Sequence, residues 1–427
     1  MNYGEALAWL YATQRFGIKL GLENIERLLH SLSIDFACLN LGSARASRAV
    51  SGASPETIPF RVIHVAGTNG KGSVCAMIDA LARAAGYRTG LFTSPHLISF
   101  RERVRVDGEK ISEGEVAGGL TEIRELIGGW DPHPTFFEIA TALALQHFQT
   151  TRCEILVLET GMGGRLDATN AVQSSVSVIT PIDFDHEKWL GHSIDQIAKE
   201  KAGIIKPRTP VISASQRPEA EVIIRQRAEQ CDAPLQFVND PWTKTGIALR
   251  GEHQKMNAAL AIAAVQATDI KVSDDATARG LSSVEWPARF QIWNEHIVID
   301  GAHNPASARI LAQTWREEFG DEHATILLAI LRDKNAAEIV QAFAPIATRF
   351  VLPQIRSERA LPPNELAEVL SDTTPSLPYS STPSVAEAIS AAQRSGERVL
   401  ITGSLHFAGE ALAFLRGEPN ALEECAQ

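Results

Sequence analysis

The chain has 427 residues, 44% of them apolar and 21% charged, with a formal net charge of −11. At roughly 150 residues per domain it is long enough for two or three separate cores, and its composition is that of a folded globular protein. The acidic balance disfavours a nucleic-acid binder, which normally carries a basic face. In chain order, residues 3–32 read as two short amphipathic helices around the turn Phe16-Gly17-Ile18. Residues 40–57 are rich in Ser, Ala and Gly and read as a loop. RVIHVA, residues 61–66, is a short apolar run and predicts a buried strand. SVCAMIDALARAAG has helical spacing and ends on Gly86 as a C-cap. YRTGLF is a strand. ISEGEVAGGLTEIRELI is a helix with Ser112 as N-cap and Glu115 completing a capping box. FFEIATALALQHFQ is apolar nearly all round and predicts a buried helix.

EILVLE and SVSVIT are continuous apolar strands, as parallel sheets require; SIDQIAKEKAGII is a helix and PVISA a further strand. Strands alternating with helices argue an α/β domain with a parallel sheet. A second series begins near Trp286: IVIDGA, TILLAIL, RFVLP and RVLITGS are strands with helices between them and after the last, and SDTTPSLPYSSTPS is a polar, Pro-rich loop. The expected division is residues 1–285 followed by a smaller doubly wound domain, 286–427. Cys38, Cys75, Cys153, Cys231 and Cys425 are scattered without a C-x-x-C, so neither a disulfide framework nor a zinc site is indicated and the thiols fit a reducing cytosol. The N-terminus has no basic start and no apolar signal core, and no run approaches the ~18 apolar residues of a membrane span. A soluble cytoplasmic protein is the expectation.

One stretch carries chemistry: HVAGTNGKGSVCAM, His64 to Met77. The common phosphate-loop pattern is G-x-x-x-x-G-K-[ST]. Here Gly70-Lys71 is followed by Gly72 before Ser73, and the first Gly of the pattern falls on Val65. The context is nevertheless right, since the loop follows a predicted strand and opens a predicted helix. Small residues let consecutive N–H groups turn toward an anion, the helix N-terminus adds partial positive charge, and Lys71 can neutralise phosphate oxygens.

GTNGKGS resembles the loop of the Mur ligase superfamily and, within it, of the folylpolyglutamate synthase/dihydrofolate synthase family. Further blocks are similar in the family's order: TSPHL at 93–97, TFFEIATALA at 135–144, VLETGMGGRLDATN at 157–170, ITPIDFDHEKWLG at 179–191, IAKEKAGIIK at 197–206, GEHQKMNAALA at 251–261, DGAHNP at 300–305 and GSLHFAGE at 403–410. The resemblance therefore spans nearly the whole chain. Departures are Thr160 where the family often has Val, Ala288 where it often has Gly, Asn335 where it often has Asp, and a longer 40–57 loop.

The resemblance implies a P-loop parallel-sheet ATPase domain followed by a Rossmann-like domain, and an ATP-dependent ligase that adds L-glutamate to a folate through an acyl phosphate. It implies Lys71, Lys201 and His186 as catalytic. For ATP it implies Thr68, Asn69, Gly70, Lys71, Gly72 and Ser73, with Asn257, Arg289, Asp300 and His303. Magnesium, in two sites, would be held by Ser94, Glu159, His186 and Lys201, the last as its carbamate. The pteridine would meet Phe136, Phe137 and Glu138, with Leu166, Asp167 and Ala168; one of the two phenylalanines reads as ordinary core. Arg101, Arg103 and Arg165 are candidate carboxylate binders. The implied partners are small molecules, with no nucleic acid and no membrane, and the chain is expected to be a monomer. A Mur-type cell-wall ligase is the alternative, although little chain precedes the phosphate loop to hold a nucleotide-sugar domain. A P-loop kinase or other NTPase would need neither GGRLDATN nor EKAGI.

Overall fold

The computed structural model describes residues 1–17, 19, 21–34, 60–394 and 396–423. The expected 40–57 loop, Ile18, Cys38 and Cys425 lie outside the described residues. Among the described residues the thiols of Cys75, Cys153 and Cys231 are free and buried, and no helix is long and apolar enough to cross a membrane.

Eight strands form the first sheet: β1 (Arg61–Ala66), β2 (Thr89–Phe92), β3 (Val104–Val106), β4 (Glu109–Lys110), β5 (Ile155–Glu159), β6 (Val176–Ile179), β7 (Val211–Ala214) and β8 (Leu235–Val238). Their order is β4-β3-β2-β5-β1-β6-β7-β8. The six strands from β2 to β8 run parallel, and β3 and β4 add an antiparallel edge. The central strands alternate between two cores because both faces are covered. Val62, Leu156 and Leu158 enter one apolar cluster beneath the helices Glu113–Ile127 and Phe136–Thr150. Ile63, Val65, Ile155 and Val157 enter another beneath Lys71–Ala84 and Glu252–Gln266. Each such side chain contributes about 1.5–3 kcal/mol by leaving water, which is why these runs read as uninterrupted apolar sequence.

The second sheet comprises β9 (Gln291–Ile292), β10 (Ile297–Ile299), β11 (Ala324–Leu328), β12 (Ala347–Pro353), β13 (Tyr379–Thr382) and β14 (Arg398–Thr402), in the order β13-β12-β11-β14-β10-β9. All are parallel except β9, which pairs antiparallel with β10.

Strand β13 corrects the expected loop at 371–384. It is a polar edge strand, mostly exposed, held by its backbone ladder to β12. The capping box at Ser112 and Glu115 is present with both hydrogen bonds, 3.2 and 2.9 Å. The helix after β1 starts at Lys71, two residues before its apolar periodicity begins. Its end follows the expected chemistry: Ala85 caps it and Gly86 follows in the left-handed region at φ +88°.

Strand order places the site. β1 lies between β5 and β6, so the loops leaving the carboxyl ends of β1, β2, β5 and β6 converge at one edge of the sheet, the position where open parallel sheets bind ligands.

Candidate active site

The β1 loop is built for close backbone approach. Gly70 is the N-cap of the helix Lys71–Ala84 at φ +89°, a conformation that favours glycine. A Cβ on Gly67 would strike Thr180 at the end of β6. The loop is pinned from the same neighbour: Thr68 N and Asn69 N donate to Pro181 O at 3.0 and 3.2 Å, and Thr68 Oγ1 donates to Asp183 O at 2.9 Å. Lys71 Nζ reaches back to Thr68 O at 3.2 Å, which keeps its charge over the loop. Asn257, buried on the helix Glu252–Gln266, lies against Gly70, where an added Cβ would come within 2.8 Å of its Oδ1.

Around this loop stand the expected charged groups. Glu159 closes β5 and is 5% exposed; its Oε2 accepts from Ser94 N at 3.1 Å. Burial raises its pKa, while Lys71, the Ser94 N–H and Arg289 counter the rise. Ser94 Oγ is buried with no hydrogen-bond partner, an orphaned oxygen beside a carboxylate. Lys201, on the helix Ile194–Ala202, is 3% exposed and donates from Nζ to Gly67 O at 2.7 Å. Burial, with repulsion from Lys71, pulls its ammonium down to about 7. Burial likewise holds the His186 imidazole at about 4, neutral at pH 7 as metal ligation demands. Among the described residues no three His, Cys, Asp or Glu side chains form a ready-made cage. Glu159 and the orphaned Ser94 oxygen beside it offer a hard cation such as magnesium two oxygen ligands, and His186 lines the same cavity.

The second sheet closes the site from the other side. Arg289 sits between Ala288 (φ +56°) and Phe290 (φ +42°), both left-handed. Ala288 thus occupies a glycine-favouring conformation, and the buried packing of its methyl offsets the strain. Asp300, following β10, accepts from Phe290 N at 2.7 Å and Ala302 N at 2.8 Å, so it braces the turn that carries Arg289.

Asp185, one residue before His186, is gripped by the second unit. Lys334 Nζ donates to its Oδ1, Asn304 Nδ2 to its Oδ2 at 3.3 Å, and His303 Nε2 lies 3.6 Å away. Burial pushes the Asp185 carboxyl up, but the nearby His303 ring and the cations around it, Lys334 included, hold it well below the usual carboxylate range. Asn304 also donates to Asn69 Oδ1 at 3.0 Å. Sequence reasoning missed this clasp. The Asn335 departure is neutral here, because its side chain caps the helix Ala336–Phe343 by accepting from Glu338 N, a task Asn and Asp perform equally.

One cavity of about 1000 Å³ joins all these groups. It is lined by the β1 loop from Thr68 to Ser73, by Ser94, Glu159, His186, Lys201 and Asn257, and by Arg289, Asp300 and His303. Phe136, Phe137, Glu138, Leu166, Asp167 and Ala168 line it as well. Phe136 is the core member of the aromatic pair: it is 7% exposed and stacks on Tyr11 at 5.5 Å. Phe137 packs over Gly161, whose Cβ would come within 2.6 Å of the ring. Glu138 also caps its own helix through Thr135, accepting at 2.7 Å from the backbone N and 2.8 Å from Oγ1.

The three candidate arginines are not brought to this cavity. Arg101 Nε donates to Ile111 O at 2.6 Å, Arg103 Nε to His96 Nδ1 at 2.9 Å, and Arg165 pairs with Glu200 at 2.9 Å. Each charge is engaged within the chain.

Two segments of the chain match the Mur ligases: residues 65–237 match the Mur ligase middle domain and residues 288–405 the Mur ligase glutamate ligase domain. The class is therefore a two-unit Mur-type ligase with its cavity between the units. The chain is 33% identical to the dihydrofolate synthase/folylpolyglutamate synthase of Bacillus subtilis, over 95% of this chain and 97% of that one. A folylpolyglutamate synthase of Mycobacterium tuberculosis, solved with ADP and AMPPCP, superposes with a TM-score of 0.85 at 30% identity, covering 97% of this chain and 99% of that one. The bifunctional folylpolyglutamate synthase/dihydrofolate synthase of Yersinia pestis, solved with AMPPNP and a Mn ion, gives 0.84 at 28% identity, covering 97% and 98%. The chain belongs to the dihydrofolate synthase/folylpolyglutamate synthase family and is a ligase.

Proposed function

We infer that this chain joins L-glutamate to the carboxylate of a folate with consumption of ATP, taking dihydropteroate to dihydrofolate, extending tetrahydrofolates, or both. The observation that carries the reading is the single cavity running from the phosphate loop, past Glu159 and Ser94, to the wall at Phe137 and Asp167. It offers a nucleotide end and a flat-ring end with the chemistry between them. Residues 1–285 would form the ATP-binding unit and 286–427 the glutamate ligase unit, acting as a cytoplasmic monomer.

Making an amide from a carboxylate and an amine in water is uphill. It becomes feasible if a carboxylate oxygen attacks the γ-phosphorus of ATP, the bond to the bridging oxygen breaks and ADP leaves. The glutamate amine then attacks the acyl carbon, and phosphate departs with one of the original carboxylate oxygens. Phosphoryl transfer asks a protein mainly for positioning and for charge. The amides from Gly70 to Ser73 and the Lys71 ammonium would hold the β- and γ-phosphates, and Arg289 would meet the same charge from the second unit. Ser94, Glu159 and His186 would hold magnesium, which supplies charge neutralisation to the phosphates when bound.

A neutral amine is what reacts with CO₂, and the amine of Lys201 is held near neutrality by burial. Its carbamate would place a carboxylate where a second magnesium needs one. Phe137 and the Asp167 wall would take the pteridine.

The test is phosphate release from ATP by the purified chain with dihydropteroate, tetrahydrofolate or a Mur precursor, each with and without L-glutamate. Release is expected only with a folate-type acid, and product only when glutamate is added. Turnover with the Mur precursor alone, or with no acid at all, would overturn the reading.

A further inference from the structure

His64 is a histidine inside a central strand, 0% exposed, and the chemistry above does not use it. It lies in β1, three residues before the phosphate loop, and its ring meets Thr169 behind the cavity wall. Nε2 is 2.8 Å from Thr169 Oγ1. Thr169 Oγ1 in turn donates to Asp167 Oδ1 at 2.5 Å, and Thr169 N donates to the same oxygen at 3.0 Å. The other carboxylate oxygen accepts from Met162 N at 2.9 Å. Asp167, 7% exposed, lines the cavity.

The direction of this chain follows from proton counting. A hydroxyl has one hydrogen, and an ionised carboxylate can only accept. The Thr169 hydrogen therefore goes to Asp167, and toward His64 the hydroxyl must be the acceptor. His64 must then carry its proton on Nε2. Its Nδ1 is buried and has no hydrogen-bond partner, as a bare lone pair in this tautomer would be. Burial, with Lys206 nearby, keeps the ring neutral at ordinary pH, its pKa drawn down to about 3. The unpartnered nitrogen costs free energy in a buried site, and the arrangement retains that cost while orienting one threonine.

We propose that His64 and Thr169 are positioning residues for substrate recognition: the His64 Nε2–H turns the Thr169 hydroxyl onto Asp167, fixing the Asp167 carboxylate as an acceptor aimed at a ring edge that donates. The proposal rests on the folate reading of the cavity. A pterin presents an amino group and an adjacent ring N–H along one edge, and the Asp167 oxygen that accepts from Met162 N keeps a lone pair that can accept from that edge. Because both carboxylate oxygens are already held from behind, the group cannot rotate to suit a different edge. The relay thus selects hydrogen-bond pattern as well as shape.

The test uses the full chain with Thr169→Val, which keeps the side-chain shape and removes the hydroxyl, and Thr169→Ser, which restores the hydroxyl. Histidine-selective ¹⁵N NMR should report an Nε2–H tautomer for His64 in wild type and T169S, with the Nε2 and Hε2 shifts moved in T169V as the hydrogen bond to Thr169 is lost. Fluorescence titration should show dihydropteroate binding weakened about tenfold in T169V, equivalent to 1.4 kcal/mol, and restored to within about twofold in T169S. Binding of a fluorescent ATP analogue should stay unchanged in both variants. An Nδ1–H tautomer in wild type overturns the relay. So does equal weakening of ATP and dihydropteroate in T169V, the mark of a merely structural role. A wild type that shows the Nε2–H tautomer but does not bind dihydropteroate overturns the folate reading and the role given to Asp167, with the hydrogen-bond chain itself intact.

Discussion

Lys201→Met separates what the fold prefers from what the chemistry needs. Methionine keeps the apolar stem and removes the charge. Burial with Lys71 nearby draws the Lys201 ammonium from 10.5 to about 7, a difference worth about 5 kcal/mol at 1.36 kcal/mol per pH unit. The bond from Nζ to Gly67 O returns about 1–2 kcal/mol to the wild type. The variant should therefore be more stable by roughly 3 kcal/mol at pH 6, a rise of about 5 °C in melting temperature for a unit of this size. The sign with pH is fixed. Between about 7 and 10.5 the unfolded chain holds a proton on Lys201 that the folded chain has released, so wild-type stability climbs with pH across that window. Methionine does not titrate, and its advantage should be full below pH 7 and shrink toward zero near pH 10. Calorimetric scans at pH 6, 8 and 9.5 in CO₂-free buffer measure this, and phosphate release by the variant, assayed separately in bicarbonate-containing buffer where wild type turns over, should be lost. A variant that melts at or below wild type at pH 6, or by a margin independent of pH, would refute the reasoning. Normal turnover would refute the carbamate.

Lys71→Ala should lower turnover at least ~100-fold, the scale for removing one preorganised donor to developing charge, with melting temperature within about 2 °C of wild type; steady-state kinetics and a thermal scan check both. Glu159→Gln should lose magnesium-dependent nucleotide binding while gaining slight stability, because burial raises the pKa of this carboxylate despite Ser94 N and the cations nearby; calorimetric titration of an ATP analogue with and without Mg²⁺ reads the difference. Asp185→Asn strips the charge from a site facing Lys334, both side chains 7% exposed. It should cost about 3 kcal/mol by taking from a buried ammonium its closest carboxylate and leaving it only Asp333 at 3.4 Å, and it should raise the KM for glutamate, since the units no longer close tightly. A thermal scan and glutamate-dependent kinetics test this, and unchanged values of both would remove the clasp from the account.

The parallel strands and the major helices were legible because burial on both faces leaves unbroken apolar runs and because caps such as Ser112–Glu115 are local chemistry. β8, β13 and the β3–β4 edge were not. They are short and partly exposed, and the backbone ladders of their neighbours hold them rather than a side-chain pattern. The phosphate loop was legible from its strand–turn–helix setting despite its altered spelling. The other cavity residues came through likeness to a family, and all of them meet in one space. What sequence could not reveal is pairing at distance. Lys334 and Asp185 are 149 residues apart, and His64 and Thr169 are 105 apart. The arginines at 101, 103 and 165 show the converse error, since a charge that looks available in sequence already has an intramolecular partner in the fold.

The central claim is that the acid is activated as an acyl phosphate in the cavity between the two units. It is tested most directly by supplying dihydropteroate with ¹⁸O in its carboxylate, together with ATP, Mg²⁺ and L-glutamate, and weighing the inorganic phosphate released. Each phosphate should carry one ¹⁸O from the substrate carboxylate. Phosphate free of label, formed alongside the glutamylated product, would contradict the account.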